Sequence, residues 1–149
     1  MKILVINGPN LNMLGIREPE IYGKENFDDL KNYITNCAKE LEIAINIVQS
    51  NHEGDLVSSI QNAYFEKYNG IVINPAAYTH TSVALLDALK TVNMPAIEVH
   101  LSNIHQRETF RHHSYTASAC IGQIAGLGFS GYKFALMYLK DFITGEENG

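Results

Sequence analysis

An α/β fold, one parallel sheet of five strands with helices on both faces, is predicted by three observations. Short β-rich runs alternate strictly with longer runs of helical spacing, and right-handed crossovers leave few other arrangements for that pattern. At 149 residues the chain has the length of one domain, enough to bury roughly 70% of the surface it exposes when unfolded. Its apolar fraction of 46% is ordinary for a globular chain, and no apolar run approaches the ~18 residues of a membrane span.

The elements follow in order. A first strand is expected from Lys2 to Asn7, and the turn residues Gly8 and Pro9 follow it at once, too early for a secretory signal core. Gly8 to Lys24 is a non-periodic stretch of 17 residues carrying Asn10, Asn12, Arg17, Glu18 and Tyr22. Loops of that length between strand and helix tend to be lids or binding loops. Helical spacing then runs from Phe27 to Leu41, with Asn26 as its cap and Asp28 and Asp29 complementing the positive end of the dipole. A strand from Ala44 to Gln49 leads to a helix from Asp55 to Tyr68, opened by Asp55, and then to a strand from Gly70 to Asn74. Ser82 to Val92 reads as a helix apolar on nearly every side, which points to burial on both faces and so to a subunit interface around Asp87. Strands from Ala96 to His100 and from Ser118 to Ile124, and a helix from about Ser130 to Ile143, complete a flavodoxin-like pattern. No repeat or linker interrupts it, so residues 1–149 are expected to be a single domain, with Gly145 to Gly149 as a frayed polar tail.

Charge and cysteine content narrow the function classes. Eleven Lys and Arg face sixteen Asp and Glu, a net charge of -5, and the only arginines are Arg17, Arg107 and Arg111. So few cations release few phosphate counterions, which argues against nucleic acid and against an anionic membrane surface. A small molecule or another protein remains as partner. Cys37 and Cys120 are isolated, without the spacing of a zinc ribbon or a disulfide frame, and read as small buried hydrophobes in a cytoplasmic protein.

In open α/β sheets the ligand lies beyond the carboxyl ends of the strands. Here those ends are polar: Asn7-Gly-Pro-Asn10, Ser50-Asn-His-Glu53, Asn74 to His80, and Glu98-Val-His100-Leu-Ser-Asn103. Strand periodicity puts Glu98 and His100 on one face, where the carboxylate can hold the imidazole in one tautomer, giving a general acid or base with its orienter. The same pair would also serve as a buried ion pair closing the sheet end. Gly126-Leu-Gly-Phe-Ser-Gly131 has dinucleotide-turn spelling, but that fingerprint belongs to the first strand–helix turn, so these glycines are read as close helix–sheet packing. Glu98, His100 and His105 lack the support of a His-Glu-x-x-His helix or a cysteine cluster, and no metal is expected. No nucleophile elbow or Walker loop is present, and no lysine closes a strand, which disfavours a Schiff base. The remaining Asn, His, Glu, Arg, Tyr and Ser suit proton transfer and oxyanion stabilisation without a cofactor.

Four motifs together resemble one family. Asn7-Gly-Pro-Asn-Leu-Asn-Met-Leu-Gly-Ile-Arg-Glu-Pro-Glu-Ile-Tyr-Gly23, Asn74-Pro-Ala-Ala-Tyr-Thr-His-Thr-Ser82, Glu98-Val-His-Leu-Ser-Asn103 and Phe110-Arg-His-His-Ser114 are similar to type II 3-dehydroquinate dehydratases, in order and over nearly the whole chain. The resemblance implies dehydration of 3-dehydroquinate to 3-dehydroshikimate, in the shikimate pathway or in quinate breakdown, by a flavodoxin-like subunit in a homododecamer of four trimers. It assigns Tyr22 as the base. A free tyrosine has a pKa of about 10, so its phenolate needs a nearby cation, and Arg17 in the same loop is suited to supply one. The same resemblance gives Asn10 a water at the enolate oxygen and makes His100, oriented by Glu98, the proton donor to the departing hydroxyl. It puts Asn74, His80, Leu101, Ser102 and Arg111 on the carboxylate and hydroxyls, and sends Asp87 to a neighbouring subunit's site.

Overall fold

A computed structural model of the chain describes residues 1–16 and 18–145, with the side chain of Tyr22 outside that description. In order it contains β1 (Lys2–Asn7), α1 (Pro19–Tyr22), α2 (Phe27–Glu40), β2 (Ala44–Gln49), α3 (Glu53–Phe65), β3 (Gly70–Asn74), α4 (Val83–Val92), β4 (Ala96–His100), β5 (Gly122–Ala125) and α5 (Ser130–Thr144). The five strands form one sheet in the order β2-β1-β3-β4-β5, and every neighbouring pair is parallel. After β2 the chain crosses β1 to build the other half, so the topological switch point, where open α/β sheets hold their ligands, lies between β1 and β3.

The two-residue period of the strands divides the core. Ile3, Val5, Val72, Ile97 and Val99 face one side and pack with Leu30, Ile34, Leu136 and Leu139 from α2 and α5. Leu4, Ile6, Ile71 and Ile73 face the other side and pack with Leu56, Ile60, Leu85 and Leu89 from α3 and α4. Near-continuous apolar strands are what a parallel sheet covered on both faces requires, and each fully buried Leu or Ile contributes about 1.5–3 kcal/mol. The same alternation sorts the polar strand ends. Asn7 and Asn74, paired across β1 and β3, continue the Val5 and Val72 face, whereas Glu98 and His100 continue the opposite one.

Local signals explain most boundaries. Asn26 caps α2 in a reciprocal box, accepting from the Asp29 N–H and donating its own N–H to the Asp29 carboxylate, both at 2.9 Å. Ser82 caps α4 by accepting from the Leu85 N–H at 3.0 Å. Three expected boundaries are corrected. The helix expected at Asp55 begins at Glu53, because the Asp55 carboxylate instead accepts the Ser50 hydroxyl at 2.7 Å and anchors the entering loop. It ends at Phe65, before Lys67 turns left-handed at φ 58°. The last strand begins at Gly122, not Ser118, since Thr116–Ala119 forms a 3-10 turn. The Thr116 hydroxyl is drawn to Glu98, and side-chain bonds of this kind compete with the ladder.

Gly131, at the start of α5, packs as expected: a Cβ there would lie 3.2 Å from Val99 Cγ1. Cys37 is buried, and half-buried Cys120 is also a free thiol. Residues 146–149 of the expected tail lie outside the described residues. Among the described residues no helix is long and apolar enough to cross a membrane.

The turn after β1 admits no side chain. The Gly8 N–H bonds to the Asn74 carbonyl at 2.8 Å, and a Cβ on Gly8 would sit 2.4 Å from the Pro75 oxygen. Gly8→Ala should therefore force the two strand-end turns apart and destabilise the protein by about 1–3 kcal/mol, read as a lower urea midpoint; an unchanged midpoint would contradict this packing.

Candidate active site

The ends of β1, β3 and β4 and the turns that follow them frame a narrow cleft of about 50 Å³, walled by Pro9, Asn10, Leu11, Leu14, Asn74, Ala76, Ala77, Leu101, Arg107 and Arg111. Asn10 stands at φ 69°, a left-handed conformation that asparagine tolerates. Its N–H donates to the Asn51 side chain at 3.0 Å. Asn74 is 2% exposed. Leu101 is buried and closes the cleft on the β4 side. Ser102 lines an adjoining recess with Glu20, Asn103 and Arg107. The Arg111 Nε donates to the Glu108 carboxylate at 2.5 Å, which leaves its other nitrogens for the cleft.

Behind Leu101 lies the pair expected from strand periodicity. His100 Nε2 is 2.9 Å from Glu98 Oε2, with His100 5% exposed and Glu98 fully buried. The carboxylate is surrounded by donors. Gln123 Nε2 donates at 2.6 Å and Ser114 Oγ at 2.9 Å. Thr79 Oγ1 lies 3.0 Å away, and Thr116 Oγ1 donates as well. Three hydroxyls carry three protons, so Thr79, Ser114 and Thr116 share them among the carboxylate and one another. Burial alone pushes the Glu98 carboxyl up. The bond from His100, its charge, and the Thr116 and Ser114 hydroxyls outweigh burial and hold the group down at about 2. An ionised carboxylate only accepts, so Nε2 of His100 carries the proton and Nδ1 is the ring nitrogen left for other partners. Lone pairs occupied by this many donors are also poor metal ligands, and among the described residues no three His, Cys, Asp or Glu side chains cluster as a metal site.

His80, half-buried, sets its tautomer through the His113 carbonyl 2.7 Å from Nδ1. Burial lowers its pKa despite that bond, with the nearby His100 and Arg111 charges adding to the effect. A neutral ring with Nδ1–H engaged presents Nε2 as an acceptor. Asp87 is exposed on α4 and is not part of the cleft wall of its own chain. Arg17 and the side chain of Tyr22 lie outside the described residues. Sequence reasoning left Arg107 unassigned. It lines the cleft and pairs with Glu18 of the long loop at 3.5 Å. Its rarity as one of three arginines, between two site motifs, was the available signal.

Fold and site together define a doubly wound α/β protein with a carboxylate-oriented histidine beside a cation-lined cleft at the switch point, the equipment of an acid–base enzyme. The sequence profile of the family described as Dehydroquinase class II matches residues 1–140, and the chain belongs to that family. A 3-dehydroquinate dehydratase from Clostridium perfringens (strain 13 / Type A) is 61% identical over 143 residues, 96% of this chain and 98% of the relative. The crystal structure of type II dehydroquinase from Butyrivibrio crossotus DSM 2876 superposes with a TM-score of 0.93 at 55% identity, covering 94% of this chain and 97% of the other. That of type II dehydroquinase from Propionibacterium acnes gives 0.89 at 45% identity, covering 93% and 94%.

The depressed Glu98 carboxyl has a definite sign in acid. Its folded value of about 2 lies below the ordinary 4.5, so its ionisation stabilises the fold above about pH 4.5, and that stability is lost as pH falls toward 2. Glu98→Gln should cost on the order of 3 kcal/mol at neutral pH. The gap to wild type should narrow through that window when urea midpoints are followed against pH; a pH-independent gap would remove Glu98 as the source.

Proposed function

We propose that the chain is a 3-dehydroquinate dehydratase, a hydro-lyase that removes water from 3-dehydroquinate to form 3-dehydroshikimate in the shikimate pathway. Membership of the class II dehydroquinase family is the observation that carries this reading, and the oriented Glu98–His100 pair beside the cleft supports it. The reaction removes a proton next to a ketone and expels a β-hydroxyl, so it needs a base, a stabiliser for the enolate and an acid for the leaving oxygen. In this reading Tyr22 is the base, with Arg17 beside it favouring the phenolate. Asn10 holds a water against the enolate oxygen. His100, as the imidazolium, delivers its Nδ1 proton to the departing hydroxyl, and Glu98, which stays ionised, keeps the Nε2 proton and holds the ring in register.

Asn74, His80, Leu101, Ser102 and Arg111 bind the substrate carboxylate and hydroxyls. The wall position of Arg111 and the open Nε2 of His80 suit an anion and a hydroxyl donor respectively. We further propose a single catalytic domain per chain, a homododecamer of four trimers in which Asp87 reaches a neighbouring site, a cytoplasmic location and no cofactor.

Purified protein incubated with 3-dehydroquinate should develop the near-ultraviolet absorbance of the conjugated enone; absence of product at every pH tested would overturn the assignment. Tyr22→Phe should abolish turnover with an unchanged circular dichroism spectrum, and near-normal turnover would remove Tyr22 as base. Light scattering should return a mass close to twelve chains, whereas a stable monomer would contradict the role given to Asp87.

A further inference from the structure

None of the steps above uses Tyr132, whose hydroxyl lies deep at the switch point. Tyr132 sits in the first turn of α5, fully buried among the residues that cover the Val5 and Val72 face. Its phenol oxygen donates to Asn7 Oδ1 at 2.7 Å and accepts from Asn74 Nδ2 at 2.9 Å. Asn7 Nδ2 donates to the Val48 carbonyl at 3.2 Å, and Asn74 Oδ1 accepts from the Ala76 N–H at 3.1 Å.

The protons in this chain have one consistent arrangement. The Val48 carbonyl only accepts, so Asn7 turns its NH₂ toward Val48 and its oxygen toward the phenol. The phenol proton is thereby committed to Asn7, and the phenol oxygen is left to accept from Asn74. With its NH₂ held there, Asn74 presents its oxygen to Ala76. Burial pushes the Tyr132 phenol up in pKa, so the group stays neutral and the arrangement does not change through the working pH range.

The end of this chain is a strained residue in the cleft wall. Ala76 stands at φ 52°, a left-handed conformation costly for a side chain with a Cβ and kept only where the surroundings over-determine it. Ala76, Ala77 and Asn74 all line the cleft, whereas Tyr132 is too deeply buried to touch anything bound there.

We propose that Tyr132 is a positioning residue for substrate binding: acting through Asn74, it holds the left-handed Ala76 turn that forms one wall of the cleft. The inference rests on the reading of that cleft as the 3-dehydroquinate site. Without the phenol oxygen the Asn74 amide can rotate, the bond to the Ala76 N–H is lost, and the turn relaxes toward negative φ. The Glu98–His100 pair lies on the opposite face of the sheet and is untouched, so the loss falls on ground-state binding.

Steady-state kinetics of Tyr132→Phe with 3-dehydroquinate, alongside thermal unfolding, provides the test. KM should rise by about tenfold while kcat changes by less than about threefold. Adding Ala76→Gly to that variant should reverse part of the rise in KM, because glycine adopts φ near +52° without the strain a Cβ brings. A lower melting temperature with unchanged KM would show a purely structural tyrosine and overturn the proposal, and so would a raised KM that Ala76→Gly leaves untouched. If Tyr132→Phe does not fold, Asn7→Ser breaks the same chain from β1 with the tyrosine ring kept in place, and the same rise in KM is required of it. Absence of turnover in the wild type would fail the activity and the proposal together, while wild-type turnover with a normal KM in the variants would fail the proposal alone.

Discussion

A carboxylate fully buried at the carboxyl end of β4 is the constraint around which this site is arranged. Taking an ion of that size out of water costs several kcal/mol even after relaxation, and the protein offsets the cost by replacing water with its own donors. Those donors come from everywhere around the strand end: Thr79 after β3, His100 on β4 itself, Ser114 and Thr116 from the irregular stretch, and Gln123 on β5. The long connection from β4 to β5 is therefore irregular for a reason. Its hydroxyls must reach inward to Glu98, and a regular helix or an early strand would point them elsewhere. The same connection carries Arg107 and Arg111 to the cleft, so solvating one buried charge also delivers two cations to the cleft wall.

How far the site could be read in advance follows from the range of the interactions. The first four strand boundaries were legible because apolar runs ending in turn residues are local features, and Asn26 was legible as a cap for the same reason. The pair Glu98 and His100 was visible because two-residue spacing on a strand fixes their common face. The start of β5 was misread because Thr116 and Ser118 carry no local mark of the carboxylate that holds this segment in a turn. Gln123 and Tyr132 likewise act on residues 25 and 58 positions away, a dependence that no periodicity encodes. Family resemblance added roles, Tyr22, Arg17 and Asp87 among them, that spacing alone could not.

A net charge of -5 sits easily with an anionic substrate once charges are located. Two of the three arginines are in the cleft wall, each engaged by a carboxylate from outside it, Glu18 for Arg107 and Glu108 for Arg111. In each pair the arginine is largely covered and the carboxylate is the exposed partner. They hold the guanidinium groups at the cleft, where the local cations set the field that an anionic ligand meets.

The parallel sheet gives its two ends different work and its two faces different polar devices. On the α3 and α4 face, Glu98 organises a proton-bearing imidazole. On the α2 and α5 face, Tyr132 organises two amides and, through them, a strained turn. Both devices emerge at the carboxyl edge of the sheet, Glu98 and His100 at the end of β4 and the amides where β1 and β3 diverge into Gly8-Pro9 and Pro75-Ala76, turns that the Gly8 contact keeps together. On the proposed roles, chemistry and recognition are anchored in separate halves of the core. A change in packing beneath one face should shift binding or proton delivery without necessarily shifting the other, because the sheet between them is held by backbone bonds that neither side chain makes.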